Sequence, residues 1–351
     1  MDFKRPITHA VKWAAQMRRA LRHTFKLAVG ISVTAFFLWL LLRNLDLGAL
    51  KSAFFNLDSR FILLALAFLA TGYYVRIARW WWMLRVLEPG LRFSTCVWPF
   101  ITSIAVNNVL PLRAGDALRI FGFRTQLRSP AMRIAGTLVV ERLFDLLALL
   151  TFFFIGLMGL PPGTFPATFV KLAAWLAGSS VTLLFVFILF SQKFAELLQW
   201  ITHRPILIQR GWSDRVQLLG THFIESLTLL RSPLRVLVLF CFSVATWACE
   251  GAVFATVAHA LGSGAGAIAP WFSLATGTLA TLLPSSPGYV GTFDYFAMQG
   301  LVAYGASSET AAAFALTVHA VLWLPLTAAG LLYLLSRGQR TLLKRAPQAK
   351  V

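Results

Sequence analysis

The chain has 351 residues, of which 58% are hydrophobic and 13% charged, and its mean hydropathy is +0.71. Soluble domains carry about 25% charged residues, so a water-soluble globule is excluded and a polytopic helical membrane protein is expected. A net charge of +19 would point to nucleic acid in a soluble protein, but in a membrane protein its distribution along the chain decides its meaning.

Residues 1–26 carry seven Lys or Arg among Val11, Trp13, Met17 and Leu21. That spacing suits an amphipathic helix on an anionic leaflet, or a plain topogenic basic segment. The first apolar run, Leu27 to Leu42, lacks a small-x-small cleavage site and reads as an uncleaved span. Phe61 to Tyr74 is the second span, and after it Arg76, Arg79 and Arg85 interleave with Trp80, Trp81 and Trp82 as the collar of a membrane interface.

Trp98 to Leu110 is about 13 residues, roughly 20 Å as a helix, too short to cross a bilayer. With Asn107, Asn108 and Pro111 at its end and a return leg from Ala117 to Leu127, it predicts a re-entrant hairpin over 97–128. Arg133 opens a third span to Met158 that carries Glu141, Arg142 and Asp145, and Phe169 to Phe190 is the fourth. Residues 191–235 read as a basic surface loop with interfacial helices. The fifth span, Val236 to Ala260, holds Glu250, and the sixth, Ala311 to Ser336, holds His319 and Pro325. Between them a second broken segment, 271–300, has PSSPGYVGTFD at its centre, and residues 337–351 form a basic tail. Cys96, Cys241 and Cys249 show no metal-ligand spacing and read as buried thiols, so no metal or cofactor is expected.

The expected fold is therefore all-α: about six full spans and two opposed re-entrant hairpins in a domain over 27–336, both termini cytoplasmic. That arrangement places 27 of the 32 Lys and Arg on the inner side, as the positive-inside rule demands. The charge then serves orientation and anionic headgroups, and a nucleic-acid partner is not expected. The hairpins enter from opposite faces. Trp98, Pro111 and Gly115 have the same spacing as Trp271, Pro284 and Gly288, an offset of 173 that is compatible with an internal duplication or with coincidence. Interrupted apolar segments in two halves of a chain point to a transporter's midplane site.

An ionisable group in hydrocarbon costs about 2.5–3.5 kcal/mol on insertion scales, so it faces the bundle interior and is paired. Glu141 and Asp145 share one helical face, and Arg142 lies at i, i+3 from Asp145, within pairing reach. Arg113, Arg119 and Arg142 suit bidentate contact with phosphate oxygens, with Asp116, Glu141 and Asp145 orienting them or meeting a cationic headgroup. The same charges could instead neutralise one another and lock the hairpin to the third span. Glu250 and His319 are each alone on an apolar helix, as satisfied polar contacts or as proton-coupling groups. There is no HExxH, GxSxG, nucleotide loop or Cys/His cluster, and a catalytic role is not expected.

NNVLPLRAGDALR at Asn107 to Arg119, ERLFD at Glu141 to Asp145 and LPSSPGYVGTFD at Leu283 to Asp294 together resemble the lysylphosphatidylglycerol synthase transmembrane region family, also called flippase-like membrane proteins. The resemblance implies a module that moves an aminoacylated phospholipid across the inner membrane, the lipid being made by a separate soluble domain. It marks Asn107, Asn108, Arg113, Asp116, Arg119, Glu141, Arg142, Asp145, Pro284, Pro287, Gly288 and Asp294 as the candidate lipid-binding set. Asp stands at 116 and 294 where the family more often has Glu, and Tyr289 follows Gly288 where a second Gly is usual. The expected partners are anionic or aminoacylated phospholipids and a separate lipid-modifying enzyme. The alternatives are an accessory protein for a lipid- or glycan-modifying enzyme, and a secondary transporter of a small anionic solute.

Overall fold

A computed structural model of the protein describes residues 31–345, apart from 44, 56, 112, 162, 165, 203–212 and 284. The basic segment 1–26, the last residues of the tail and Pro284 lie outside the described residues. Among the described residues the secondary structure is helical, with no strand. Helices α1 (Ile31–Leu42) and α2 (Leu47–Phe55) meet at an angle of 87°. Helix α3 (Ser59–Leu87) starts on Asp58, whose carboxylate accepts from the Arg60 N–H at 2.9 Å.

The first hairpin follows. Helix α4 (Phe93–Val109) goes in, and α5 (Ala114–Ala117), a π-helical turn (Leu118–Gly122) and α6 (Arg124–Leu127) come back along it. Pro111 has no N–H to continue α4 and holds Leu110 extended at φ −106°, ψ 144°, which ends the helix. Helix α7 (Ala131–Met158), α8 (Ala167–Thr202), α9 (Ser213–Leu227) and α10 (Pro233–Ala260) come next. The second hairpin is α11 (Ala269–Ala280), a 3₁₀ turn (Pro287–Tyr289) and α12 (Thr292–Val302). Its legs pack through small residues: a Cβ on Gly277 would stand 3.0 Å from that of Ala297, and one on Gly300 would stand 2.7 Å from the Ser273 Cα. Helix α13 (Ser308–Arg345) closes the bundle.

Among the described residues three helices are long and apolar enough to cross a membrane: α3, α10 and α13 over Ser308–Ser336, or up to four when α1 and α2 count as one bent span. At 28 residues α7 has the length as well, but Glu141, Arg142 and Asp145 sit at its centre. Helix α3 is twice as long as expected because its face Ala65, Leu69, Gly72, Arg76, Arg79 and Met83 packs inward in one 3–4 stripe. At the crossing with α10, a Cβ on Gly72 would come within 3.1 Å of the Cys249 Cβ. Arg79 and Trp80 are thus buried, and only Arg85, stacked over Trp81, keeps the exposed position expected of an interface collar. Of the three cysteines only Cys96 is buried, while Cys241 is exposed on the outer face of α10.

The segment 191–235, expected as a surface loop with interfacial helices, is largely helical where it is described: α8 runs on to Thr202, and α9 docks against α7 and α8. A Cβ on Gly136 of α7 would stand 1.6 Å from the Ser226 Oγ, so the two helices touch backbone to side chain. Arg133 ties the joint by bonding both Glu88 and Glu225, the latter at 2.5 Å. Partial burial opposes ionisation of Glu225, but hydrogen bonds from Arg133 and His222 outweigh it and hold the carboxyl below its ordinary 4.5. A depressed carboxylate stabilises the fold fully above that ordinary value and loses the contribution as pH falls through the folded one. In detergent, the melting temperature is expected to drop as pH is taken below 4.5, and Glu225→Gln is expected to flatten that drop. An unchanged profile in the variant would show that the joint does not depend on this carboxylate.

Candidate functional site where the hairpin tips meet

The two hairpins touch at their tips. Arg113 Nε donates to the Tyr289 hydroxyl at 3.3 Å, and Asn108 Nδ2 donates to Thr327 Oγ1 at 2.9 Å. Thr34 Oγ1 donates to Ser286 Oγ at 2.6 Å, bringing α1 to the same point. Both tips use left-handed backbone on bulky residues, with Arg113 at φ 54° and Tyr289 at φ 60°. Such residues cost on the order of 1 kcal/mol each and gather where function constrains a loop. Gly288, at φ 74°, lies against Trp323 and the Asn108 carbonyl, at 2.9 and 3.2 Å from where a Cβ would be.

A cavity of about 170 Å³ opens behind this contact. Asn108 comes from the first hairpin, Gly288, Tyr289 and Phe293 from the second, Tyr73 from α3, Glu250 from α10, and His319 and Trp323 from α13. Glu250 and His319, each alone on its apolar helix in the sequence, both meet a partner from another helix. Arg76 Nη2 donates to Glu250 Oε2 at 2.5 Å, and His319 Nδ1 lies 2.7 Å from Asp294 Oδ1. The Gly291 N–H donates to the other oxygen of Asp294 at 2.8 Å, which starts α12. Pro287 opens the 3₁₀ turn beside the cavity.

A separate cluster lies deeper in α3, α4, α7 and α10. Arg79 donates to both oxygens of Asp145, at 2.6 and 3.1 Å, and to Ser243 Oγ at 2.5 Å, and Trp247 Nε1 adds a third bond to Asp145 at 3.2 Å. Arg119 donates to Glu141 at 2.7 Å and its guanidinium lies over the Trp80 and Phe100 rings, 4.3 and 4.6 Å from their centroids. Arg119 and Arg79 are 0% and 1% exposed, so neither guanidinium is open to a ligand in this conformation.

The three arginines grouped by sequence are therefore divided. Arg113 is exposed at the tip, Arg142 is about a third exposed and lies 3.6 Å from Asp116, and Arg119 is enclosed. Asp116 in turn exchanges bonds with Asn107, 2.9 Å from its Nδ2 and 3.2 Å from its Oδ1 to the Asp116 N–H, which clamps the turn of the first hairpin. Asp145 pairs with Arg79, not with Arg142, because helix α7 turns that face toward α3. Sequence reasoning missed Arg76 and Arg79 as site-building residues. The signal was their place in the stripe Gly72, Arg76, Arg79 and Met83, which aligns both guanidiniums with the packed face of α3. The offset of 173 does not carry through to backbone: Gly115 is helical and packed against α4, whereas Gly288 has a positive φ in a turn.

No curated protein matches the chain. Residues 27–330 match the family model of the lysylphosphatidylglycerol synthase TM region, and the chain, a multi-pass membrane protein, belongs to that family.

Proposed function

We propose that the protein is a lipid translocase of the bacterial inner membrane, moving a phospholipid or aminoacyl-phospholipid between leaflets through the cavity at the hairpin tips. The observation that carries this reading is the meeting of two broken helical segments over an aromatic cavity with a few polar groups, with Arg113 exposed and Arg142 partly exposed near it. Arg142 lies within electrostatic reach of Tyr73, on the cavity wall, and Arg113 bonds Tyr289, on the same wall. These two arginines hold the lipid phosphate, the contact to which a planar guanidinium is best fitted. The protein performs no covalent chemistry in this reading, and both termini face the cytoplasm with the hairpins entering from opposite sides. A separate enzyme supplies the lipid.

Replacing Arg113 and Arg142 with Ala, singly, is expected to lower outer-leaflet exposure of the transported lipid by about tenfold each, the loss of one charge-assisted contact. Both side chains are partly exposed, so folding is expected to hold, as a normal melting temperature would show. The measurement is chemical labelling of outer-leaflet headgroups in intact cells, and undiminished labelling at normal expression would sink the reading. An accessory protein that only holds lipid would retain it in native mass spectrometry and transfer none in vesicles.

A further inference from the structure

The hydrogen-bonding inventory of the cavity narrows what can fill it. Its acidic side chains already have partners: Glu250 Oε2 accepts from Arg76, and Asp294, behind the wall, lies against His319 and accepts from the Gly291 N–H. Three atoms on its wall remain unmatched. Trp323 Nε1 is buried with no acceptor, and Thr278 Oγ1 is buried with no partner, while Glu250 Oε1 has no donor among the described residues. The indole N–H can only donate and the carboxylate oxygen can only accept. A fully ionised phosphate only accepts and an ammonium only donates, so each alone serves one side, and a zwitterionic headgroup would need both its ends in the cavity. A hydroxyl group does both.

The rest of the wall agrees. Tyr73, Tyr289, Phe293 and Trp323 bring four aromatic rings to one small space. Such walls take the C–H face of a ring while a few fixed polar groups orient its edge. At about 170 Å³ the cavity is smaller than the roughly 300 Å³ at which drug-sized pockets begin, and it has room for one ring-sized group.

We infer that the cavity binds a neutral polyhydroxyl group the size of one monosaccharide, with its hydroxyls bridging Trp323 Nε1 and Glu250 and its apolar face against the aromatic wall. The inference deepens the translocase reading and rests on it for the lipid source: the sugar belongs to a lipid headgroup whose glycerol or phosphate end lies toward Arg113 and Arg142.

The test uses the full chain in detergent and native mass spectrometry with three lipids: glucosyl-phosphatidylglycerol, phosphatidylethanolamine and phosphatidic acid. Glucosyl-phosphatidylglycerol is expected to be retained about tenfold better than the other two, and Trp323→Phe, which keeps a ring and removes the N–H, is expected to erase that margin. Retention of phosphatidylethanolamine or phosphatidic acid equal to the glycolipid overturns the inference and leaves the translocase reading standing. A margin that survives in Trp323→Phe, with the variant melting as the parent does, overturns it too. Methyl glucoside, tested by its protection of Trp fluorescence from quencher, separates the sources. Free glucoside binding as tightly as the glycolipid supports the hydroxyl site and overturns the lipid reading, whereas weaker binding supports both.

Discussion

Arg79→Ala is expected to destabilise the protein by about 3–5 kcal/mol, the cost of leaving a buried partner uncompensated. The arginine is 1% exposed and gives Asp145 two hydrogen bonds, with Glu141 a further 3.9 Å away. Without it Asp145 keeps only Trp247 as a donor, and two carboxylates of α7 face each other across one helical turn with Arg119 as the one cation in ion-pair contact and Arg142 and Arg76 at longer electrostatic reach. Arg79→Lys is not expected to rescue, since an ammonium cannot reproduce the paired donors. The double variant Arg79→Met with Asp145→Leu is expected to recover most of the loss, because a buried ion pair gains little over an apolar pair of similar volume. Thermal unfolding in detergent measures all three. Melting of Arg79→Ala at the parent temperature would mean that the cluster is wet and weak.

Gly115→Ala is the second large effect. A Cβ there would stand 1.8 Å from the Ser103 carbonyl oxygen and 2.8 Å from the Asn107 N, both backbone atoms of α4 that cannot move aside. The return leg has to lift away, which breaks the exchange between Asn107 and Asp116 and shifts the tip that carries Arg113. The expected loss is about 3 kcal/mol, the upper end of overpacking, together with loss of lipid exposure. Gly178→Ala on α8 is the control, because nothing lies within 4 Å of its Cβ position, and a change of no more than about 1 kcal/mol is expected there. Equal behaviour of the two variants would show that the hairpin is not packed as described.

The class of the protein, its two broken segments and four of the residues that line the cavity could be read in the sequence. Hydropathy runs, the Pro111 break and the GYVG turn are local properties: they follow from backbone sterics and from the water-free solvent that a bilayer imposes, whatever the helices pack against. Asn108, Gly288, Glu250 and His319 were visible for the same reason, as polar or turn-forming residues set in apolar sequence.

Partner choice among the charges was not visible. Spacing shows which residues of one helix share a face, but not which helix that face meets, so Arg142 and Asp145 read as a pair and Arg79 read as an interface anchor. The tertiary structure joins Arg79 to Asp145 across 66 residues and Arg76 to Glu250 across 174. In a medium of low dielectric each charge binds strongly to whichever opposite charge packing brings within reach. The crossing of α3 with α10, where Gly72 admits Cys249, sets Arg76 and Arg79 among the packed helices, whereas Arg113 stays exposed and Arg142 partly exposed.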